Sequence, residues 1–162
     1  QDRFDWNLVG KKTMLIPHNN SRMGDIGAAE KITSSRNFVD PSLYRYEERE
    51  VAIVEATLKA GSRHIFPKQM MYVSTDEHNG IMIRDHYDGQ GNLAKHQIGS
   101  RGIDPAAGNC QYNGEQTIDF ATRAFVIQNT LGAGHDDLAL EYDTINMGMD
   151  FYSPDGLRRF AR

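Results

Sequence analysis

Six histidines, a single cysteine and one acidic, amide-rich turn are the residues of this 162-residue chain whose types could do chemistry. Neutral imidazole is the commonest transition-metal ligand, so a metal site is the first reading to weigh. The spacing speaks against it: His64, His78, His86 and His96 fall on different strands and turns, with no His-x-His or His-x-x-x-His pair and no second cysteine beside Cys110. Asp85-His86-Tyr87-Asp88-Gly89-Gln90-Gly91-Asn92 is partly like a calcium loop but lacks the closing bidentate glutamate. Hairpin turn chemistry explains the same residues. No Gly-x-Ser-x-Gly occurs, and Cys110 lies in a glycine-rich stretch with no neighbouring basic residue to lower its pKa. No glycine-rich phosphate loop follows a strand. The residues therefore describe a protein that is not an enzyme and calls for no metal and no cofactor.

The totals narrow the class further. A chain of this length fits one domain, residues 1–162, which buries roughly two-thirds of its unfolded surface and needs no disulfide. Its net charge of −4 is spread out, so the basic footprint of a nucleic-acid binder is missing. No stretch approaches the roughly 20 apolar residues of a transmembrane helix. One cysteine excludes an intrachain disulfide without choosing between cytosol and periplasm. Beginning on Gln1, with no charged-then-apolar leader, the chain reads as a processed product or an excised fragment.

The elements that must position any site are mostly strands. Three apolar runs, Glu50 to Ala60, His64 to Thr75 and Gly80 to Asp88, are each followed by a turn signal, which is the pattern of an antiparallel meander. Phe4 to Gly10 and Lys12 to Pro17 read as two short strands hinged at Gly10, or as one strand with a bulge there. His18 to Pro41 reads as a long loop with one helical turn near Ala28 to Ile32. A strand over Asn92 to Ile98, a second long loop over Gly99 to Gly114, and strands at Gln116 to Phe120, Arg123 to Asn129 and Leu138 to Tyr142 complete the β part. Ser153 as N-cap, Pro154 at the first helical position, Asp155 and the closing arginines write a short C-terminal helix.

Alternation assigns faces. Val51, Ile53, Glu55 and Thr57 point one way, and the more apolar Ala52, Val54, Ala56 and Leu58 the other. Ile81 and Ile83 share a face against Met82, Arg84 and His86. Met70, Met71 and Met82 on neighbouring strands fit either core filler or the lining of an adaptable apolar cavity. Glu55, Lys68, Arg84, Asp85 and Lys95 are expected to form cross-strand ion pairs on a solvated face.

Trp6, Val9 to Pro17 and Asn19-Asn20, then Arg45-Tyr46-Glu47, Val54 to Lys59, Arg63 to Phe66, Lys68, Tyr72-Val73, Asp85 to Gly91 and Ser153 to Arg159, resemble, in order, the bacterial envelope family known as domain of unknown function 1329. The chain departs from the family pattern at Ala52, usually aromatic, at His18, usually tyrosine, and at His78-Asn79, where a tryptophan is usual. The resemblance implies a mainly β fold, a curved antiparallel sheet or incomplete barrel like that of periplasmic lipoprotein carriers, with long loops and a short helix. It also implies that the chain is the C-terminal portion of a longer secreted protein, in the periplasm or at the outer membrane, with envelope transport proteins as partners.

The function expected on these grounds is a non-enzymatic carrier for a lipid or another hydrophobic small molecule. Its lining is expected at Val54, Leu58, Phe66, Met70, Tyr72, Ile81 and Ile83, with Trp6 and Met14 near one edge. The alternative is a structural docking domain for an exporter or outer-membrane component, which would show an exposed apolar patch or an open edge strand.

Overall fold

Turn signals spaced closely along an alternating chain favour hairpins, and the chain forms them in sequence order. The computed structural model describes residues 2–20, 39–76, 79–104, 109–128 and 152–160, apart from the side chains of 102–104, 109–113 and 160. Seven strands, β1 (Phe4–Pro17), β2 (Tyr46–Leu58), β3 (Lys68–Ser74), β4 (Ile81–Tyr87), β5 (Leu93–Asp104), β6 (Asn109–Asp119) and β7 (Ala124–Gln128), form one sheet in that order. Every pairing is antiparallel. The expected mainly β, open curved sheet with one short helix is the fold.

Curvature has a local cause. Register shifts fall in the β1–β2, β3–β4, β4–β5 and β5–β6 pairs, and each such bulge bends its strand and adds twist. β1 is one strand with a bulge between Leu8 and Gly10, and Gly10 supplies the φ of 152° that other residues rarely adopt. The β3–β4 shift pairs Tyr72 with Ile83 but Val73 with Ile81, so Met82 is the extra residue. Its side chain is turned into the core at 1 % exposure.

The expected loop over Gly99 to Gly114 is a correction. β5 runs on to Asp104 and β6 begins at Asn109, pairing from Lys95↔Asp119 to Asp104↔Asn109. Residues that look like turn formers serve here as close-approach residues: a Cβ on Gly99 would meet the Ile81 carbonyl oxygen at 2.8 Å. Cys110 accordingly belongs to a strand.

The Asp88 turn is the hairpin expected of it. Asp88 Oδ1 accepts the Gln90 and Asn92 N–H groups, each at 2.9 Å, and Gly91 takes a φ of 84°. Helix α1 (Pro154–Phe160) starts as written, with Ser153 Oγ accepting the Gly156 N–H at 3.0 Å. The expected helical turn at Ala28 to Ile32 and strand at Leu138 to Tyr142 lie outside the described residues.

Candidate binding site

Cross-strand partners share a face of a sheet, so the registers divide the side chains into two sets. On the inner face one row runs Ile53, Tyr72, Ile83, Ile98, Gln116, Ile127 from β2 to β7. Two apolar clusters sit on this face. Ile16, Val51 and Met82 are sealed, with Met14, Ile53, Tyr72 and Ile83 around them. At the other end Val39 and Tyr44 rest on Leu43, Ile98, Phe125 and Ile127. Ile53, Tyr72, Ile83 and Ile98, between the sealed residues, are only half-buried. The inner face thus carries an apolar band that is only half-buried, between two sealed ends.

That cover belongs to the β1–β2 connection. Asp40 Oδ1 accepts the Ser42 N–H at 2.9 Å and caps a short 3-10 turn at Pro41–Leu43, and this backbone hydrogen bond holds the Asp40 carboxyl below the usual carboxylate range. Tyr44 follows, and its Oη donates to Gln116 Oε1 at 2.9 Å in a buried contact. Burial, aided by Tyr46, pushes the Tyr44 phenol well above its ordinary value. It is neutral at any physiological pH and acts only as a hydrogen-bonding anchor.

The start of the same connection is pinned by charge. His18, 7 % exposed, places Nε2 at 2.8 Å from Asp76 Oδ2 and Nδ1 at 3.3 Å from Glu47 Oε2. Burial opposes the Glu47 charge, yet the Arg49 hydrogen bond and the charges of His18, Arg49 and Arg45 outweigh it and keep Glu47 below its ordinary value. Backbone bonds close the arrangement: His18 N–H to Arg45 O at 3.0 Å and Asn20 N–H to Arg101 O at 2.6 Å. Sequence reasoning singled out His18 only as a departure from the family pattern. The signal that could have found it was Pro17, which ends the strand and leaves the next polar residues at the sheet margin.

The outer face reads differently. One row passes from Leu8, Val54 and Met71 on β1–β3 to Arg84, Gln97 and Thr117 on β4–β6. Gln97 is fixed at both ends, because its Nε2 donates to Glu115 Oε1 at 2.8 Å and its Oε1 lies 2.8 Å from His86 Nε2. His86 is then the donor, and burial, which lowers its pKa, keeps the ring neutral. The β2–β3 connection folds onto this face, with the Phe66 ring 5.1 Å from His86 and His64 5.2 Å from Phe4. Beside the row lies a hollow of about 250 Å³ lined by Ile81, Arg84, Gln97, Arg101 and Glu115, with Met82, Ile83 and Gly99 completing it along β4 and β5.

The nine expected lining residues are shared between the faces. Met14, Tyr72 and Ile83 gather in the inner cluster, and Met70, paired with Glu55 and Asp85, lies on the same side. Val54, Leu58 and Trp6 alternate to the outer face, Phe66 caps it, and Ile81 borders the outer hollow. Ile53, Ile98 and Ile127 join the inner band and were not singled out. Among the described residues no cluster of three His, Cys, Asp or Glu could hold a metal ion, and no helix is long and apolar enough to cross a membrane.

Residues 1–158 match the family described as "Protein of unknown function (DUF1329)". The chain belongs to this family. A relative from Pseudomonas aeruginosa, "Uncharacterized protein PA3922", is 40% identical over 92 residues, covering 57% of this chain and 20% of the relative. The chain thus matches about a fifth of that relative's length. Among solved structures, a DUF1329 family protein from Desulfovibrio piger is 16% identical, with a TM-score of 0.49 over 96% of this chain and 48% of that one. A putative outer membrane lipoprotein-sorting protein domain from Vibrio parahaemolyticus is 9% identical, with a TM-score of 0.47 over 98% of this chain and 49% of that one.

Proposed function

We propose that this chain is a non-enzymatic carrier module of the bacterial periplasm or outer membrane, one domain of a longer secreted protein, that takes up a lipid or another hydrophobic small molecule on its inner face. The observation that carries this reading is the half-buried band Ile53, Tyr72, Ile83 and Ile98, lying between two sealed clusters. Met14 and Met70 extend it on the same face, and methionine side chains adapt to ligands of varied shape. Envelope placement rests on the family resemblance.

Burial supplies the affinity. At ~0.8 kcal/mol per methylene, about ten sequestered methylenes match the roughly 8 kcal/mol of micromolar binding, before the entropic cost of association. Titration of delipidated protein with an uncharged fluorescent acyl dye tests the reading. Saturable micromolar binding supports it, and fluorescence at the level of free dye contradicts it.

A second reading has its own observation. Among the described residues β1 is an edge strand, and its Leu8, Val9 and Leu15 are 63%, 55% and 66% exposed. An apolar edge of this kind favours a structural docking domain that receives a segment of an envelope exporter or outer-membrane component. Leu15→Lys at this edge weakens such docking while leaving dye binding on the inner face intact.

A further inference from the structure

Of the five strand residues expected to pair, Glu55, Lys68, Arg84, Asp85 and Lys95, four have a polar partner close by. Lys68 Nζ lies 2.7 Å from Glu55, His96 lies 2.6 Å from Asp85, and Lys95 lies 3.2 Å from Asp119. Arg84 is the exception: it is half-buried, its Nε is shielded from solvent, and that nitrogen meets no acceptor among the described residues. A shielded N–H without an acceptor is costly, and a guanidinium offers five donors in a planar fork suited to an oxyanion.

The surroundings of Arg84 define what would satisfy it. It borders the outer hollow of about 250 Å³ together with Arg101, Gln97, Glu115 and Ile81. Two guanidiniums and one carboxylate border it, and that carboxylate accepts the Gln97 amide at 2.8 Å. Gly80 makes room for Arg101, since a Cβ at Gly80 would come within 2.3 Å of Arg101 Nε. On the other side of Arg84 the same cross-strand row is apolar, from the buried Met71 through the half-buried Val54 to Leu8, 63 % exposed.

We propose that the outer face binds a single-chain anionic amphiphile, with Arg84 holding the phosphate or carboxylate head in the hollow and Val54 and Leu8 bedding the tail. Arg84 alternates to the opposite side of the sheet from the Ile83 side chain of the inner band, and the proposal does not depend on the carrier reading. An oxyanion accepts a bidentate pair of charge-assisted hydrogen bonds from the guanidinium, which a neutral head cannot do.

Calorimetric titration of the 162-residue chain with decyl phosphate, decanol and inorganic phosphate, all below micelle-forming concentrations, tests it. Decyl phosphate is expected to bind at least about tenfold more tightly than decanol, and Arg84→Gln to abolish that preference. Arg84→Lys, which keeps the charge but not the fork, retains part of the preference and covers the case in which the glutamine variant fails to fold. Equal binding of decyl phosphate and decanol, or a preference that survives in Arg84→Gln, overturns the proposal. Inorganic phosphate binding as tightly as decyl phosphate also overturns it, because the tail then contributes nothing. Loss of decanol binding with the decyl phosphate preference intact sinks the carrier reading alone.

Discussion

Tyr44 Oη donates a 2.9 Å hydrogen bond to Gln116 Oε1 across 72 residues of sequence, joining the β1–β2 connection to the far side of the sheet. Gln116 is 2 % exposed and Tyr44 7 %, so neither group has ready access to water. Tyr44→Phe removes the donor and leaves the amide oxygen unmet, a loss of about 1–3 kcal/mol. Urea unfolding should show that loss, and hydrogen exchange should show earlier opening around Val39 to Tyr44. Unchanged stability and exchange would mean the contact does not hold the cover.

The approach of β4 to β5 depends on a missing side chain. A Cβ on Gly99 would stand 2.8 Å from the Ile81 carbonyl oxygen, whereas one on Gly89 would meet nothing within 4 Å. Gly99→Ala should therefore destabilise the fold by about 1–3 kcal/mol, and Gly89→Ala by less than about 0.5 kcal/mol. Thermal unfolding of the two variants gives the comparison, and equal midpoints would contradict it.

Burial, the main influence on His86, holds its imidazole below the ordinary histidine range despite the opposing Gln97 hydrogen bond. The unfolded chain takes up that proton near pH 6.5, and the folded chain only at a lower pH. The contribution of His86 is intact above about pH 6.5 and drains as the pH falls toward the folded value. The urea midpoint should thus drop between about pH 7.5 and pH 5, and His86→Gln should flatten the slope. A variant with the wild-type slope would place the pH sensitivity elsewhere.

Edge strand β1 carries the docking alternative. Leu8, Val9 and Leu15 are more than half exposed along a strand that, among the described residues, pairs only with β2. Such an edge promotes sheet-to-sheet pairing, and a lysine on it suppresses it. Analytical ultracentrifugation should show concentration-dependent association that Leu15→Lys reduces; identical profiles for both proteins would remove the edge as a contact surface.

The meander was legible because alternation and turn residues are local signals. The Asp88 hairpin, the helix cap at Ser153 and the bulge at Gly10 were readable for the same reason. Face assignment beyond β2 was not. Counting by twos set Met82 with Arg84 and Ile81 with Ile83, and the β3–β4 bulge breaks that count by one residue. A single unpaired residue sends Met82 inward beside Val51 and leaves Ile81 opposite Val73 on the outer face. The Gly99 to Gly114 stretch failed for a different reason: glycine in a strand marks a tight approach that only the neighbouring strand reveals. The His18 anchor joins residues from three separate elements, a juxtaposition that sequence spacing does not express.

Photolabelling with an uncharged diazirine-bearing alkanol, followed by peptide mass spectrometry, tests the carrier function most directly. Saturable labelling of the peptides carrying Ile53, Tyr72 and Ile83, competed by unlabelled alkanol, is the predicted result. Labelling no greater than in the denatured chain, or concentrated at Trp6 and Leu8, would contradict it.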